Sequence, residues 1–140
     1  MRTAIVAGGR RHQRGADLDD PGVSGQAVEL LDASYTLIAP DLLLLELGNA
    51  LWKKVRKGDL TRETADRVAR DLPESFDALY PAAGLVQRAR SLSHDLDHPI
   101  YDLVFLALAE REDCPLVTGD GRLAKRLAGT SLGSKLHVLH

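Results

Sequence analysis

The stretch from Pro99 to Arg111 holds Ile100, Leu103, Val104, Phe105, Leu106, Ala107, Leu108 and Ala109, with Asp102 the only charge in its first three turns. A helix that is apolar nearly all round has no face to offer water, so it must be buried between other elements. From Tyr35 onward, short β-rich runs alternate with longer helical stretches, which predicts an α/β layered fold. Tyr35–Ala39 reads as a strand stopped by Pro40, with Asp41 placed to cap the helix that follows. That helix runs to about Lys57, carries Leu44, Leu47, Leu51 and Val55 as its expected buried face, and ends at Gly58-Asp59. A surface helix over Arg62–Leu72 has a narrow stripe of Ala65, Val68, Ala69 and Leu72, and Pro73 stops it. After a short piece from Phe76 to Tyr80, Pro81 opens a helix with Leu85, Val86, Ala89 and Leu92, and Ser93–His98 reads as a polar loop. Pro115–Thr118 is expected as a strand, Asp120–Leu127 as a short helix and Leu136–Leu139 as a closing strand.

The 140 residues suffice for one hydrophobic core and not for two, so one domain over 1–140 is expected. No apolar run approaches the roughly 20 residues of a membrane span, and the start has too short an apolar stretch for a secretory signal. The expected location is therefore the cytoplasm. Cys114 is the only cysteine, which rules out an intrachain disulfide, and Cys114-Pro115-Leu116-Val117 places it as a buried residue at the start of a strand. A net charge of −2 argues against coating nucleic acid by bulk electrostatics, leaving local basic clusters as the means of gripping phosphates.

Three acids sit where apolar elements meet turns or helix starts. Asp120 follows the strand Leu116-Val117-Thr118, and in parallel α/β sheets the functional crevice lies beyond the carboxyl ends of the strands. It would equally serve as the N-cap of the next helix. Asp102 lies in the first turn of its helix, where the macrodipole favours an anion, yet a carboxylate on so apolar a helix is near the interior, where acids are paired or bound to metal. Glu46 shares a face with Asn49, Lys53 and Lys57, as on a solvated helix, but stands within Leu42-Leu43-Leu44-Leu45-Glu46-Leu47, where polarity is otherwise absent. Asn49 one turn later could orient the carboxylate or a metal-bound water.

Three carboxylates, with no cysteine cluster and no zinc-like histidine spacing, suit a hard cation such as Mg²⁺ or Mn²⁺. Such an ion activates water and neutralises charge building on a phosphodiester. Lys53, Lys54, Arg56 and Lys57 would then contact RNA phosphates, or simply complement the helix C-terminus. Phosphate-binding loops, nucleophile elbows and dinucleotide fingerprints are absent from the sequence.

The segments Ala39-Pro40-Asp41-Leu42-Leu43-Leu44-Leu45-Glu46-Leu47-Gly48-Asn49-Ala50-Leu51, Tyr101-Asp102-Leu103-Val104-Phe105-Leu106-Ala107-Leu108-Ala109-Glu110 and Leu116-Val117-Thr118-Gly119-Asp120-Gly121-Arg122-Leu123 resemble, in order, the three downstream motifs of PIN-domain proteins, specifically VapC-type toxins of toxin–antitoxin pairs. The resemblance runs from roughly Leu18 to the C-terminus. It implies a three-layer α/β/α sandwich around a central parallel sheet, and a Mg²⁺- or Mn²⁺-dependent ribonuclease. It also implies a homodimer and a small VapB-type antitoxin whose tail covers the active site. Glu46, Asp102 and Asp120 match the family's acidic positions, with Thr118 and Asn49 at supporting ones.

The front of the chain departs from that pattern. The family expects an apolar strand ending in Asp, whereas Ile5-Val6 is followed by Ala7, and no acid occurs before Asp17. The basic, glycine-rich residues that follow make 1–17 an atypical segment and a poor start for a helix. The run Arg10–Asp17 is compatible with a shifted reading frame: codons CGT-CGT-CAT-CAA-AGG-GGT-GCT-GAC, read one nucleotide later, give Val-Val-Ile-Lys-Gly-Val-Leu. With the segment as written, Asp17, Asp19 or Asp20 would have to supply the missing acid. The alternative reading is an inactive PIN-fold module that dimerises and binds antitoxin without cutting. A phosphatase or phospho-acceptor domain would need a nucleophilic Asp after the first strand, the residue that is absent.

Overall fold

In the computed structural model the described residues are 3–7, 36–118 and 121–138, and elements are numbered over these. Five strands, β1 (Thr3–Ala7), β2 (Thr36–Pro40), β3 (Ala78–Tyr80), β4 (Leu116–Thr118) and β5 (Leu136–Val138), form one sheet in the order β3-β2-β1-β4-β5. All four pairings are parallel. A parallel sheet is covered on both faces, so its strands need continuous rather than alternating apolar residues. The buried runs Leu37-Ile38-Ala39 and Leu116-Val117-Thr118 meet that requirement.

The helices are α1 (Leu42–Lys57), α2 (Arg62–Asp71), α3 (Val86–Leu96), α4 (Ile100–Glu112) and α5 (Gly121–Leu127), with single 3₁₀ turns at Leu72–Ser75, Ala82–Leu85 and Gly133–Lys135. Right-handed crossovers put α1 and α2 on one face of the sheet and α3, α4 and α5 on the other. This is the α/β fold with a central parallel sheet expected from the sequence. In α4, every residue from Leu103 to Ala109 is buried. The helix packs against β1, β2, β4 and α3, so it touches sheet on one side and helix on the other. Arg88 ties α3 to α4 through two hydrogen bonds to Glu110, at 2.7 and 2.8 Å.

Several local expectations need correction. The buried stripe of α1 is Leu43, Leu51 and Lys54, with Leu47 half-buried, while Leu44 is exposed. A run of four leucines fits either helical phase, and the strand leading into α1 settles which one faces inward. Asp41 does occupy the N-cap position but makes no cap hydrogen bond; its Oδ1 instead accepts from the Ala82 backbone N–H at 2.9 Å, tying the exit of β2 to the exit of β3. Pro40 belongs to the strand rather than stopping it, and sits opposite Tyr80 in register. The piece around Phe76–Tyr80 contains β3, an edge strand. Ser93–Leu96 is helix, because Leu92 and Leu96 keep the inward spacing and the chain turns only at Asp97, in the left-handed region with φ 49°.

Gly58 closes α1 with φ 85°, its N–H directed to the Lys54 and Val55 carbonyls. An L-residue in this conformation costs about 1–2 kcal/mol. Gly58→Ala is therefore expected to lower unfolding stability by about that amount, read from the urea midpoint at unchanged slope.

Candidate active site

Sheet order locates the crevice. Strands β2 and β3 extend from β1 in one direction, and β4 and β5 in the other, so the order reverses between β1 and β4. Ligands of open parallel sheets bind beyond the carboxyl ends of the strands at such a point. There Ala7 pairs with Thr118, and Thr118 is buried.

Two of the predicted acids stand near the starts of helices. Glu46 stands in the second turn of α1, which starts directly after β2. It is half-buried, and its Oε2 is closed off from solvent. Asp102 lies in the first turn of α4. Its side chain is 15% exposed, and its Oδ2 is 2.9 Å from His98 Nε2. Partial positive charge at the helix start favours the carboxylate there.

The third acid, Asp120, lies outside the described residues, as do Asp17, Asp19 and Asp20. Among the described residues, no three His, Cys, Asp or Glu side chains are grouped to hold an ion. Asn49 is exposed one turn after Glu46. Of the four cations assigned to RNA, Lys53, Arg56 and Lys57 are exposed, with the Arg56 guanidinium 5.4 Å from the Trp52 ring centroid. Lys54 is buried, so its stem packs inward instead of presenting the ammonium to a polyanion. At a rise of about 1.5 Å per residue, Lys53 and Lys57 lie roughly 10–16 Å along the helix from Glu46, toward the far end of the sheet. They flank the crevice at a distance rather than line it.

Reasoning from sequence missed His98. Its signal was the four-residue spacing to Asp102, hidden because Pro99 between them reads as a boundary.

The PIN domain model matches residues 18–129. The chain belongs to the PIN domain family. The match begins just after the atypical segment, consistent with the departure at Ala7. Ribonuclease VapC1 of Mycobacterium tuberculosis is 38% identical to this PIN domain over 87 residues, 61% of the chain and 64% of the relative. The chain thus spans slightly less than two thirds of that relative's length. Ribonuclease VapC3 of Pyrobaculum aerophilum is 32% identical over 105 residues, covering 74% of the chain and 80% of the relative. Among solved structures, PAE2754 from Pyrobaculum aerophilum superposes with a TM-score of 0.62 at 21% identity, covering 92% of this chain and 82% of that one. VapBC-1 from nontypeable Haemophilus influenzae gives 0.58 at 15% identity, covering 99% and 98%. These two likenesses establish the PIN fold. No helix among the described residues is long and apolar enough to cross a membrane.

Proposed function

We propose that this chain is a ribonuclease toxin of a VapBC-type pair, hydrolysing RNA phosphodiester bonds with Mg²⁺ or Mn²⁺ at Glu46, Asp102 and Asp120. The observation that carries the reading is the PIN family match, with relatives named as VapC ribonucleases; the partly buried Glu46 and Asp102, each near the start of a helix, support it. An oxygen-only donor set fits a hard divalent cation. Held there, that cation would lower the pKa of a water and offset charge on the scissile phosphate. Glu46 contributes a carboxylate with one oxygen closed off from solvent, and Asp102 one at a helix start. Lys53, Arg56 and Lys57 steer the RNA backbone from the flank. A VapB-type antitoxin, a homodimer and a cytoplasmic location belong to the same reading. Cleavage of RNA that requires Mn²⁺ and stops with EDTA tests it.

A second reading, an inactive module that dimerises and binds antitoxin, is favoured by one specific feature. Strand β1 ends in Ala7 opposite Thr118, where the family expects Asp. Purified protein that binds antitoxin but leaves RNA intact with Mn²⁺ decides for it. Under the first reading, Ala7→Asp adds a carboxylate at that register position. It is expected to tighten Mn²⁺ binding roughly tenfold, because affinity follows the number of charged ligands. Unchanged binding by isothermal titration would show that the position does not face the ion.

A further inference from the structure

We infer that His98 is a positioning residue for Asp102, fixing which carboxylate oxygen is offered to the crevice; the inference rests on the metal reading above. A carboxylate only accepts hydrogen bonds, so at 2.9 Å His98 Nε2 carries the proton and donates to Oδ2. Among the described residues this is the hydrogen bond that Asp102 receives, and it leaves Oδ1 as the oxygen available to an ion. The pair is sheltered, with His98 10% and Asp102 15% exposed. Partial burial keeps water from competing for the carboxylate.

His98 is itself held in place from its backbone. Ser93 Oγ donates to the His98 carbonyl at 2.5 Å, and the His98 N–H donates to the Ser93 carbonyl at 3.3 Å. Pro99 then restricts the backbone of His98 to extended conformations. Three constraints thus converge on one imidazole whose only described side-chain partner is the acid at the start of α4. A surface ion pair of solvated side chains would need none of them.

The test is Mn²⁺ affinity of the purified protein without RNA, read from the electron paramagnetic resonance of free Mn²⁺, together with the thermal midpoint. Wild type is expected to bind and Asp102→Asn to lose binding. His98→Ala is expected to weaken Mn²⁺ by about 10–100-fold, the usual effect of removing a group that orients a metal ligand. His98→Gln, whose amide N–H ends the same number of bonds from the backbone, is expected to recover affinity to within a few-fold of wild type. Should His98→Ala fail to fold, His98→Phe takes its place, keeping a ring but no N–H, with the same expected loss. Wild-type affinity in His98→Ala or His98→Phe overturns the inference, as does equal weakening in His98→Gln, which would assign the effect to ring packing. Wild type that binds no Mn²⁺ overturns the metal reading and this inference together. Binding that is lost in Asp102→Asn but intact without the imidazole overturns this inference alone.

Discussion

Asp102→Asn is expected to reduce Mn²⁺-dependent RNA cleavage by at least about 100-fold, because groups that merely orient metal ligands already cost 10–100-fold when removed. The change is nearly isosteric: Asn keeps an oxygen that can accept from His98 Nε2 and removes only the charge. The stability loss is confined to the helix-dipole contribution and the charge assistance of one hydrogen bond, about 1–2 kcal/mol together. Cleavage rates at saturating RNA, measured beside the urea midpoint, separate the two effects. A variant that folds like wild type and cuts at more than a tenth of its rate would remove Asp102 from the site.

Phe105→Ala is expected to cost about 3–5 kcal/mol, the range for deleting a fully buried aromatic side chain. Phe105 is 1% exposed in the middle of α4, flanked by residues that are themselves buried between sheet and α3. Little can collapse into the space, because backbone on either side is held by β1, β2 and β4. Domains of this kind are stable by only about 5–15 kcal/mol, so the loss is a large share of the total. With a urea slope of about 1–3 kcal/mol/M, the midpoint falls by roughly 1–5 M. A shift corresponding to less than about 1 kcal/mol would contradict the central place given to this helix.

What could be read from the sequence was whatever depended on long patterns. The unbroken apolar character of residues 103–109 admits only burial, and Gly58 could only end a helix. Burial was harder to phase on α1: Leu42–Leu45 offer four equivalent choices, so Leu44 was placed inward where Leu43 belongs. Strand β3 has three residues, too few for any periodicity, and is recognised only by its pairing with β2. The proposed site was legible only as acids near element starts. What local sequence could not give was the reversal of strand order, which identifies the edge, or the contact that crosses Pro99 from His98 to Asp102. Lys54 was assigned to RNA because its neighbours are basic, but helical geometry turns it toward the interior.

The placement of β1 at the centre of the sheet has a consequence for biosynthesis. Strand β1 is flanked by β2 on one side and by β4 on the other, and β4 is translated more than a hundred residues after it. Until it emerges, one margin of β1 has unsatisfied backbone groups, and closing so long a loop is slow. A prematurely terminated product lacking residues 116–118 has no switch point at all. Until residues 116–118 are available to pair with it, that margin of β1 is open to wrong partners, which makes an incomplete sheet prone to aggregation.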